Sequence, residues 1–226
     1  MILAIDSSLG SSVAVVDPAT GDVLGRADSE TTRGHAEIIG DLIVRALHDA
    51  GADPADITHI AAGMGPGPFT GLRIGIAAAR AFATGRGVPV IPVVSHDAAA
   101  LERLEAEPER PCLIVTDARR REHAVSAYDG LDDGIPHRVA GPELLPQDAD
   151  PWSILAEDLT IGRSSDESAG SVRRPATEQT LAISAGAIGR LAARQLAAGR
   201  IRDLVEPLYL RAPDAKVPGA VKRVST

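Results

Sequence analysis

The order of short strands and helices in the first 95 residues restricts the fold of this chain more than any other feature. Residues 2–6, 12–16 and 22–27 are apolar or alternating segments separated by turn-forming residues, so they predict three strands of an antiparallel meander. Two helices with apolar residues at helical spacing then alternate with two apolar strands, at 35–50, 58–62, 70–85 and 88–94.

The same plan partly restarts in the second half of the chain. The elements predicted there are three strands and two helical segments, at 112–116, 122–128, 135–140, 152–159 and 177–198. A β-β-β-α-β-α order that is followed by a strand and partly repeated is typical of the two-lobed α/β fold of actin and hexokinase. We therefore expect an N-terminal lobe over 1–95 and a reduced C-terminal lobe over 96–226, bridged by the amphipathic segment 97–106.

Residues 163–175 interrupt the second half with serines, acidic residues and a glycine-serine pair. Their apolar content is too low to order the segment, because it cannot bury enough surface to offset the loss of chain entropy. We predict a mobile loop there, and a loosely held tail after Arg211.

Composition narrows the classes of function. A formal net charge of −8 makes the chain poorly suited to hold a phosphate backbone alone, so a nucleic-acid role is expected to be shared with another subunit. The single cysteine, Cys112, excludes an intramolecular disulfide and a cysteine-cluster metal site. With aromatic residues at 2%, the core must be aliphatic. No signal peptide or apolar run of about 20 residues is visible, so we expect a soluble cytoplasmic protein without a membrane partner.

Two turns that contain aspartate are candidates for phosphate sites. Asp6, Ser7 and Ser8 end the first strand and could offer hydroxyls and N–H groups to an anion while the carboxylate holds a hydrated cation. The alternative is an ordinary turn whose side chains satisfy its own backbone. Asp117 begins the second lobe, but the arginines at 119–121 follow it where a phosphate loop has small residues. That run is either a solvated turn or a contact with RNA or an acidic partner.

The glycine-proline loop at 63–68 precedes a helix with a stripe of small residues. The loop is neither a P-loop nor a dinucleotide fingerprint, because Gly-Lys-Ser/Thr and Gly-x-Gly-x-x-Gly are absent. Gly71, Gly75, Ala79 and Ala83 recur every four residues in the helix. Glycine in a helix costs about 1 kcal/mol relative to alanine, so a close neighbour must compensate. That neighbour is either another protein chain or this chain's own sheet or first helix.

The six histidines lack the spacing of a metal or triad site. The chain contains no His-x-x-x-His or His-Glu-x-x-His pair and no Gly-x-Ser-x-Gly elbow. We therefore predict no catalytic residue, no metal and no cofactor.

Five segments together resemble the TsaB (YeaZ) family. They are Ile2-Leu-Ala-Ile-Asp-Ser-Ser, His35-Ala-Glu, Gly65-Pro-Gly-Pro-Phe-Thr-Gly-Leu-Arg-Ile-Gly, Thr116-Asp-Ala-Arg and Glu206-Pro-Leu-Tyr-Leu-Arg. The resemblance runs from residue 1 to about residue 214. It implies a non-catalytic paralogue of the catalytic subunit TsaD. Such a protein pairs with TsaD and the ATPase TsaE to install threonylcarbamoyl on the adenosine beside the tRNA anticodon, and it meets tRNA only through that complex.

The resemblance also places the partner surface on the two helices of the N-terminal lobe. The residues expected to bind a partner are His35, Ile39, Leu42, Ile43, Gly71, Arg73, Gly75, Ala79 and Ala83. TsaD holds its metal with a His-x-x-x-His pair, and here His96 falls on the first ligand while Ala100 falls on the second, so a metal site is not expected. Whether the free protein is a monomer or a homodimer stays open.

Two rival functions remain at this point. One is an independent ATPase or kinase that uses Asp6 and Asp117, which would require a small-residue second phosphate loop and an adenosine-binding Gly-Gly turn. Neither is evident. The other rival is a metallopeptidase.

Overall fold

The computed structural model describes residues 1–29, 35–108, 110–152, 176–180, 182–204 and 206–211, with the backbone alone at 35–37 and 176–179. Its strands are β1 Ile2–Asp6, β2 Ser11–Val16, β3 Val23–Ser29, β4 His59–Gly63, β5 Val90–Val93, β6 Cys112–Asp117, β7 Glu122–Asp132, β8 Ile135–Pro146 and β9 Ala176–Gln179. Its α-helices are α1 His35–Asp49, α2 Phe69–Arg86, α3 Ser95–Ala106 and α4 Ala185–Ala197.

The first sheet has the strand order β3-β2-β1-β4-β5. The first three strands form the predicted antiparallel meander, and β4 and β5 join in parallel because each is reached through a helical crossover. All five residues of β1 are buried, which explains its uninterrupted apolar run before Asp6.

The second sheet has the order β8-β7-β6-β9 among the described residues. β6 pairs antiparallel with β7 and parallel with β9, so it holds the place that β1 holds between β2 and β4. The partial repetition of the plan confirms the actin/hexokinase-type fold that the element order predicted.

Helices cover both faces of the first sheet. α1 and α2 pack on one face, over a core that includes Leu3, Ile5, Ile60, Leu42 and Leu72. α4 lies on the other face and contacts β1 and β2 although it comes from the C-terminal part of the chain, and α3 packs between α4 and strands β6 to β8 of the second sheet. The core is aliphatic as predicted. Among the described residues, Tyr128 is the aromatic side chain that is completely buried.

The predicted helix over 177–198 is wrong before Ala185. Residues Ala176–Gln179 form a strand that occupies the free edge of β6, and α4 begins at Ala185 after Ser184, whose side chain accepts a hydrogen bond from Ala187 N–H. The predicted mobile loop at 163–175, the tail after Arg211 and the predicted helix beyond 152 lie outside the described residues. Within the described ranges, no helix has the length and apolar character that a bilayer crossing requires.

Candidate functional site

A buried carboxylate organises the carboxyl end of β1. Asp6 is 2% exposed, and its Oδ1 accepts hydrogen bonds from the N–H of Ser8 at 2.8 Å and from the Ser8 hydroxyl at 2.6 Å. Its Oδ2 accepts a hydrogen bond from the Ser95 hydroxyl at 2.6 Å. Burial raises the pKa of the Asp6 carboxyl, while these hydrogen bonds act in the opposite direction. The geometry matches the ordinary turn rather than a hydrated cation site, because protein donors already occupy both oxygens.

The glycine-proline loop closes over this carboxylate. The Gly65 N–H donates to the Ser95 hydroxyl at 3.0 Å, and the Ser95 N–H donates to the Gly65 carbonyl at 2.8 Å. A side chain at Gly63 would overlap the Asp6 carboxylate, and one at Gly67 would come within 2.8 Å of the Ser8 backbone. The loop is therefore rich in glycine because it lies directly against the Asp6 turn.

The hydroxyl of Ser7 explains the two glycines of the small-residue stripe on α2. It donates to the Gly71 carbonyl at 2.7 Å and accepts from the Gly75 N–H at 3.1 Å, so it bridges two backbone groups one helical turn apart. A Cβ at Gly75 would overlap this hydroxyl. The other two stripe residues, Ala79 and Ala83, are also buried. The structure therefore contradicts the interpretation of this stripe as a seam open to a partner, and it matches the alternative of contact within the chain.

The remaining predicted partner-binding residues differ in exposure. Ile39 and Leu42 lie on the buried face of α1, and Ile43 is partly buried. Arg73 is exposed and donates from Nε to the hydroxyl of Tyr209 at 2.9 Å. The side chain of His35 lies outside the described residues.

A second stripe of small residues on α2 does face outward. Ala77, Ala81 and Gly85 have the same spacing of four and are exposed. Neither Gly85 nor Gly40 on α1 has a neighbour within 4 Å of the place where a Cβ would lie, and Val44 on α1 is 66% exposed. The sequence signal for this stripe was present, but spacing alone does not tell which face of a helix the sheet covers.

His96 is buried between two hydroxyls. Its Nδ1 lies 2.8 Å from the Ser126 Oγ and its Nε2 lies 3.0 Å from the Thr116 Oγ1. Burial, with a smaller contribution from Arg138, lowers the pKa of the imidazole to about 3, so the ring is neutral. Ala100, one turn later on α3, is also buried. The ring nitrogens are thus engaged by protein hydroxyls, and no group of three His, Cys, Asp or Glu within the described chain could hold a metal ion.

A cleft of about 470 Å³ opens beside the carboxyl end of β6. Its lining residues come from the glycine-proline loop, the start of α2, the turn after β6 and the segment 206–211: Pro66, Gly67, Pro68, Phe69, Thr116, Asp117, Ala118, Arg119, Arg120, Ala124, Leu144, Tyr209, Leu210 and Arg211. We call it the Arg119 cleft. Asp117 lies in its wall, and its Oδ1 accepts a hydrogen bond from the Arg119 N–H at 2.9 Å.

The segment 206–211 ties the cleft together. The Leu208 N–H donates to the Met64 carbonyl at 2.9 Å, and the Tyr209 ring lies 4.8 Å from the Phe69 ring. The guanidinium of Arg211 donates to the carbonyls of Ala118 and Arg119, each at 3.1 Å. The segment 206–211 thus joins the glycine-proline loop and the start of α2 to the turn after β6 in the second sheet.

Sequence reasoning assigned no role to Ser95, Asp97 or Tyr209. Ser95 is the first residue of α3, shortly after β5 ends, and a serine at the start of a helix was a usable signal for a hydroxyl that bonds to neighbouring groups. Asp97 is buried and accepts the hydroxyl of Tyr128 at 2.7 Å, with Arg138 at 3.3 Å, and burial raises the pKa of its carboxyl. No sequence pattern indicated that network, because its members are far apart in the chain.

Comparisons with known proteins agree on one family. The sequence profile of TsaD, tRNA N6-adenosine threonylcarbamoyltransferase, matches residues 25–144. An uncharacterized protein of Mycobacterium tuberculosis strain H37Rv is 37% identical over 217 residues, which cover 95% of this chain and 93% of that protein. The tRNA N6-adenosine threonylcarbamoyltransferase of Streptococcus pneumoniae strain ATCC 700669 is 45% identical over 62 residues, only 27% of this chain and 18% of that enzyme.

Solved structures give the same result for the whole fold. The solved structure of YeaZ from Pseudomonas aeruginosa superposes with a TM-score of 0.71 at 25% identity, over 92% of this chain and 99% of that one. A second Pseudomonas aeruginosa structure, described as an uncharacterized protein similar to peptidase YEAZ, has the same TM-score and identity.

Proposed function

The chain belongs to the YeaZ (TsaB) branch of the TsaD family, and on that premise we propose that it is a non-catalytic subunit in threonylcarbamoylation of tRNA. It pairs with a TsaD-like catalytic paralogue and supports that enzyme in modifying the adenosine beside the anticodon.

The surroundings of His96 carry the proposal. In the family resemblance, the catalytic subunit uses a His-x-x-x-His pair as metal ligands, and this chain has Ala100 at the second position. A histidine with both ring nitrogens against hydroxyls, and no histidine one turn later, is a structural residue rather than half of a metal site. This arrangement supports a chain that contributes no metal chemistry and also disfavours the metallopeptidase alternative.

The state of Asp6 disfavours an independent ATPase or kinase. In such an enzyme the carboxylate at the end of β1 must face the phosphates or their hydrated cation. Here protein donors occupy both of its oxygens, and the Gly63–Gly67 region closes over it.

The outward face of α1 and α2 is the surface that we assign to the partner. Ala77, Ala81 and Gly85 leave the backbone of α2 accessible, and Val44 supplies an exposed apolar side chain on the neighbouring helix. A helix of the partner can approach closely where side chains are this small. We call this surface the Ala81 seam. It replaces the buried stripe through Gly75 as the docking surface.

The acidic charge of the chain suits a subunit that meets tRNA through its partners. With a net charge of −8 it has little electrostatic attraction for a phosphate backbone. The catalytic paralogue and a TsaE-like ATPase would supply the RNA-binding and nucleotide-binding surfaces, and the complex would work in the cytoplasm.

The test combines reconstitution with variants of the Ala81 seam. The chain is mixed with its TsaD-like paralogue, the ATPase, tRNA, ATP, threonine and bicarbonate, and both pairing affinity and modified tRNA are measured. Ala81→Arg should weaken pairing at least about 100-fold and lower product formation to the level seen without the chain, because a long charged side chain blocks close approach. The matched control is Ala197→Arg, at an exposed alanine of α4, which should pair normally.

Two results would count against the proposal. Full product without this chain would refute its role in the reaction. Unchanged pairing by Ala81→Arg would refute the assigned surface and leave the role itself standing. Gly75→Leu is unsuited as an interface test, because it would disturb Ser7 and the fold of the free chain.

A further inference from the structure

The Arg119 cleft has the size and lining of a small-molecule site. A volume of about 470 Å³ falls in the range of pockets that enclose small organic ligands. Most of its wall is apolar and includes Pro66, Pro68, Phe69, Ala124 and Leu144. Its polar end is lined by three arginines and one aspartate, Arg119, Arg120, Arg211 and Asp117, and Glu122 pairs with Arg211 beside it.

The guanidinium of Arg119 is available to a ligand. Its side chain is 61% exposed, and its ion pair with Asp117 is long, at 3.8 Å. Arg211 is engaged differently, since its guanidinium donates to two backbone carbonyls of the turn and pairs with Glu122. Arg211 therefore holds the turn, whereas Arg119 retains several of its five donor hydrogens for an anion.

The backbone of the turn is held in an uncommon conformation. Arg119, Arg120 and Arg121 have φ values of 63°, 55° and 60°, in the left-handed region that residues with a side chain seldom occupy. Such a turn persists only when its surroundings fix it, and here Asp117 and Arg211 do so through hydrogen bonds. The result is that two consecutive arginines line the same cleft.

We propose that the Arg119 cleft binds a small organic anion, a carboxylate or phosphate monoester carried on a flat apolar body. Arg119 receives the anionic group, with the positive charge of Arg120 beside it, while the prolines and the Phe69 and Tyr209 rings contact the body. A metal-bound triphosphate does not fit, because Asp6 is buried under the glycine-proline loop and Asp117 accepts the Arg119 N–H. This inference does not rest on pairing through the Ala81 seam, which is formed by other residues.

Two fluorescent probes that differ in charge test the proposal. 1-Anilinonaphthalene-8-sulfonate carries an anionic group on a flat body, and N-phenyl-1-naphthylamine has the same kind of body without a charge. We expect one sulfonate per chain, bound at least about tenfold more tightly than the neutral probe, since a hydrogen bond to a charged group contributes at this level. Energy transfer from Trp152, the chain's single tryptophan, which packs beside β8, reports binding near the second sheet.

Variants of the arginines separate the charge from the shape of the cleft. Arg119→Met keeps an unbranched apolar stem but removes the guanidinium, and it should lower the affinity for the sulfonate about tenfold while the neutral probe binds as before. Arg120→Met should act in the same direction. Arg45→Met, at an exposed arginine of α1, is the matched control and should change neither affinity.

Competition defines the ligand class. Adenosine monophosphate without magnesium should displace the sulfonate, because it is a phosphate monoester on a flat ring. Displacement that requires ATP together with magnesium would overturn the assigned class. Equal affinities for the two probes, more than one sulfonate per chain, or loss of both probes in Arg119→Met would overturn the role of the guanidinium. None of these readouts depends on the TsaD-like paralogue, so this proposal and the proposed function can fail separately.

Discussion

Asp6 and Asp117 occupy the same place in the two sheets but lie in opposite surroundings. Each is the last residue of a strand that pairs antiparallel with the next strand and parallel with a later one. Asp6 is 2% exposed and accepts three hydrogen bonds from Ser8 and Ser95, whereas the side chain of Asp117 is 39% exposed and adjoins arginines. A repeated topology therefore does not repeat the chemistry of its turns.

The difference follows from the residues that surround each aspartate in the folded chain. Glycines at 63, 65 and 67 allow a loop to lie on the Asp6 turn, so the carboxylate becomes part of the interior. Around Asp117 the chain places arginines instead, and their bulk keeps the turn open and lines the Arg119 cleft. The first helical residues of α3 connect the two turns, because Ser95 donates to Asp6 and His96 contacts Thr116.

The largest expected effect separates the two aspartates. Asp6→Ala should lower the free energy of unfolding by about 3–5 kcal/mol, because buried donors on Ser8 and Ser95 lose their acceptor. Asp117→Ala should cost less than about 1 kcal/mol, since its carboxylate is partly exposed. Urea denaturation of the two variants beside the wild type measures both values. Similar losses for the two would show that the second turn is as tightly integrated as the first.

The pH dependence of stability tests the link between the turns. Burial lowers the folded-state pKa of His96 to about 3, so below pH 6.5 the unfolded chain binds a proton that the folded chain does not. The contribution of neutral His96 to the free energy of unfolding is fully present above pH 6.5. It decreases as the pH falls towards 3, by about 1.4 kcal/mol per pH unit, or about 3 kcal/mol between pH 6.5 and 4.5.

The measurement compares unfolding free energies of the wild type and His96→Gln across that range. The difference between them should shrink as the pH falls, while His48→Gln, at an exposed position of α1, should track the wild type. The buried carboxyls of Asp6 and Asp97 are present in both proteins, so their contribution to the pH dependence of stability cancels in this difference. Their raised pKa values act in the opposite direction, because the stability they contribute is present at acid pH and is lost as the pH rises through those values. A constant difference would mean that His96 is solvated in the folded protein.

The sequence predicted most of the strands and helices well because their signals lie within each segment. Apolar runs bounded by turns located β1, β4 and β6 within two residues, and helical periodicity located α1 and α2. The failure at Ala176–Gln179 has a different origin, since that strand exists because β6 offers a free edge. A pairing partner that lies some sixty residues earlier in the chain leaves no periodic signal.

The site was predicted only in part because its geometry depends on which face of α2 is covered. Spacing identified the residues at 71, 75, 79 and 83 correctly as needing close neighbours, and those neighbours lie in the same chain: Ser7 for Gly71 and Gly75, and the first core for Ala79 and Ala83. The exposed stripe through Ala81 has equal spacing, so sequence could not rank the two. The Arg119 cleft was missed as a cavity, because Tyr209 and Arg211 reach it from the far end of the chain.

The smallest expected effect concerns how the open turn is held. Arg211→Lys keeps a positive charge beside Glu122 but removes the fork that donates to the carbonyls of Ala118 and Arg119. We expect the free energy of unfolding to fall by about 1 kcal/mol, because these hydrogen bonds are partly exposed. The same change should weaken sulfonate binding, since the left-handed turn that places Arg119 loses its support. Amide hydrogen exchange at 118–122 should quicken while exchange at 6–8 does not change. Equal acceleration at both turns would show that they open as one unit. The Asp6 turn and the Asp117 turn would then differ in exposure but not in stability.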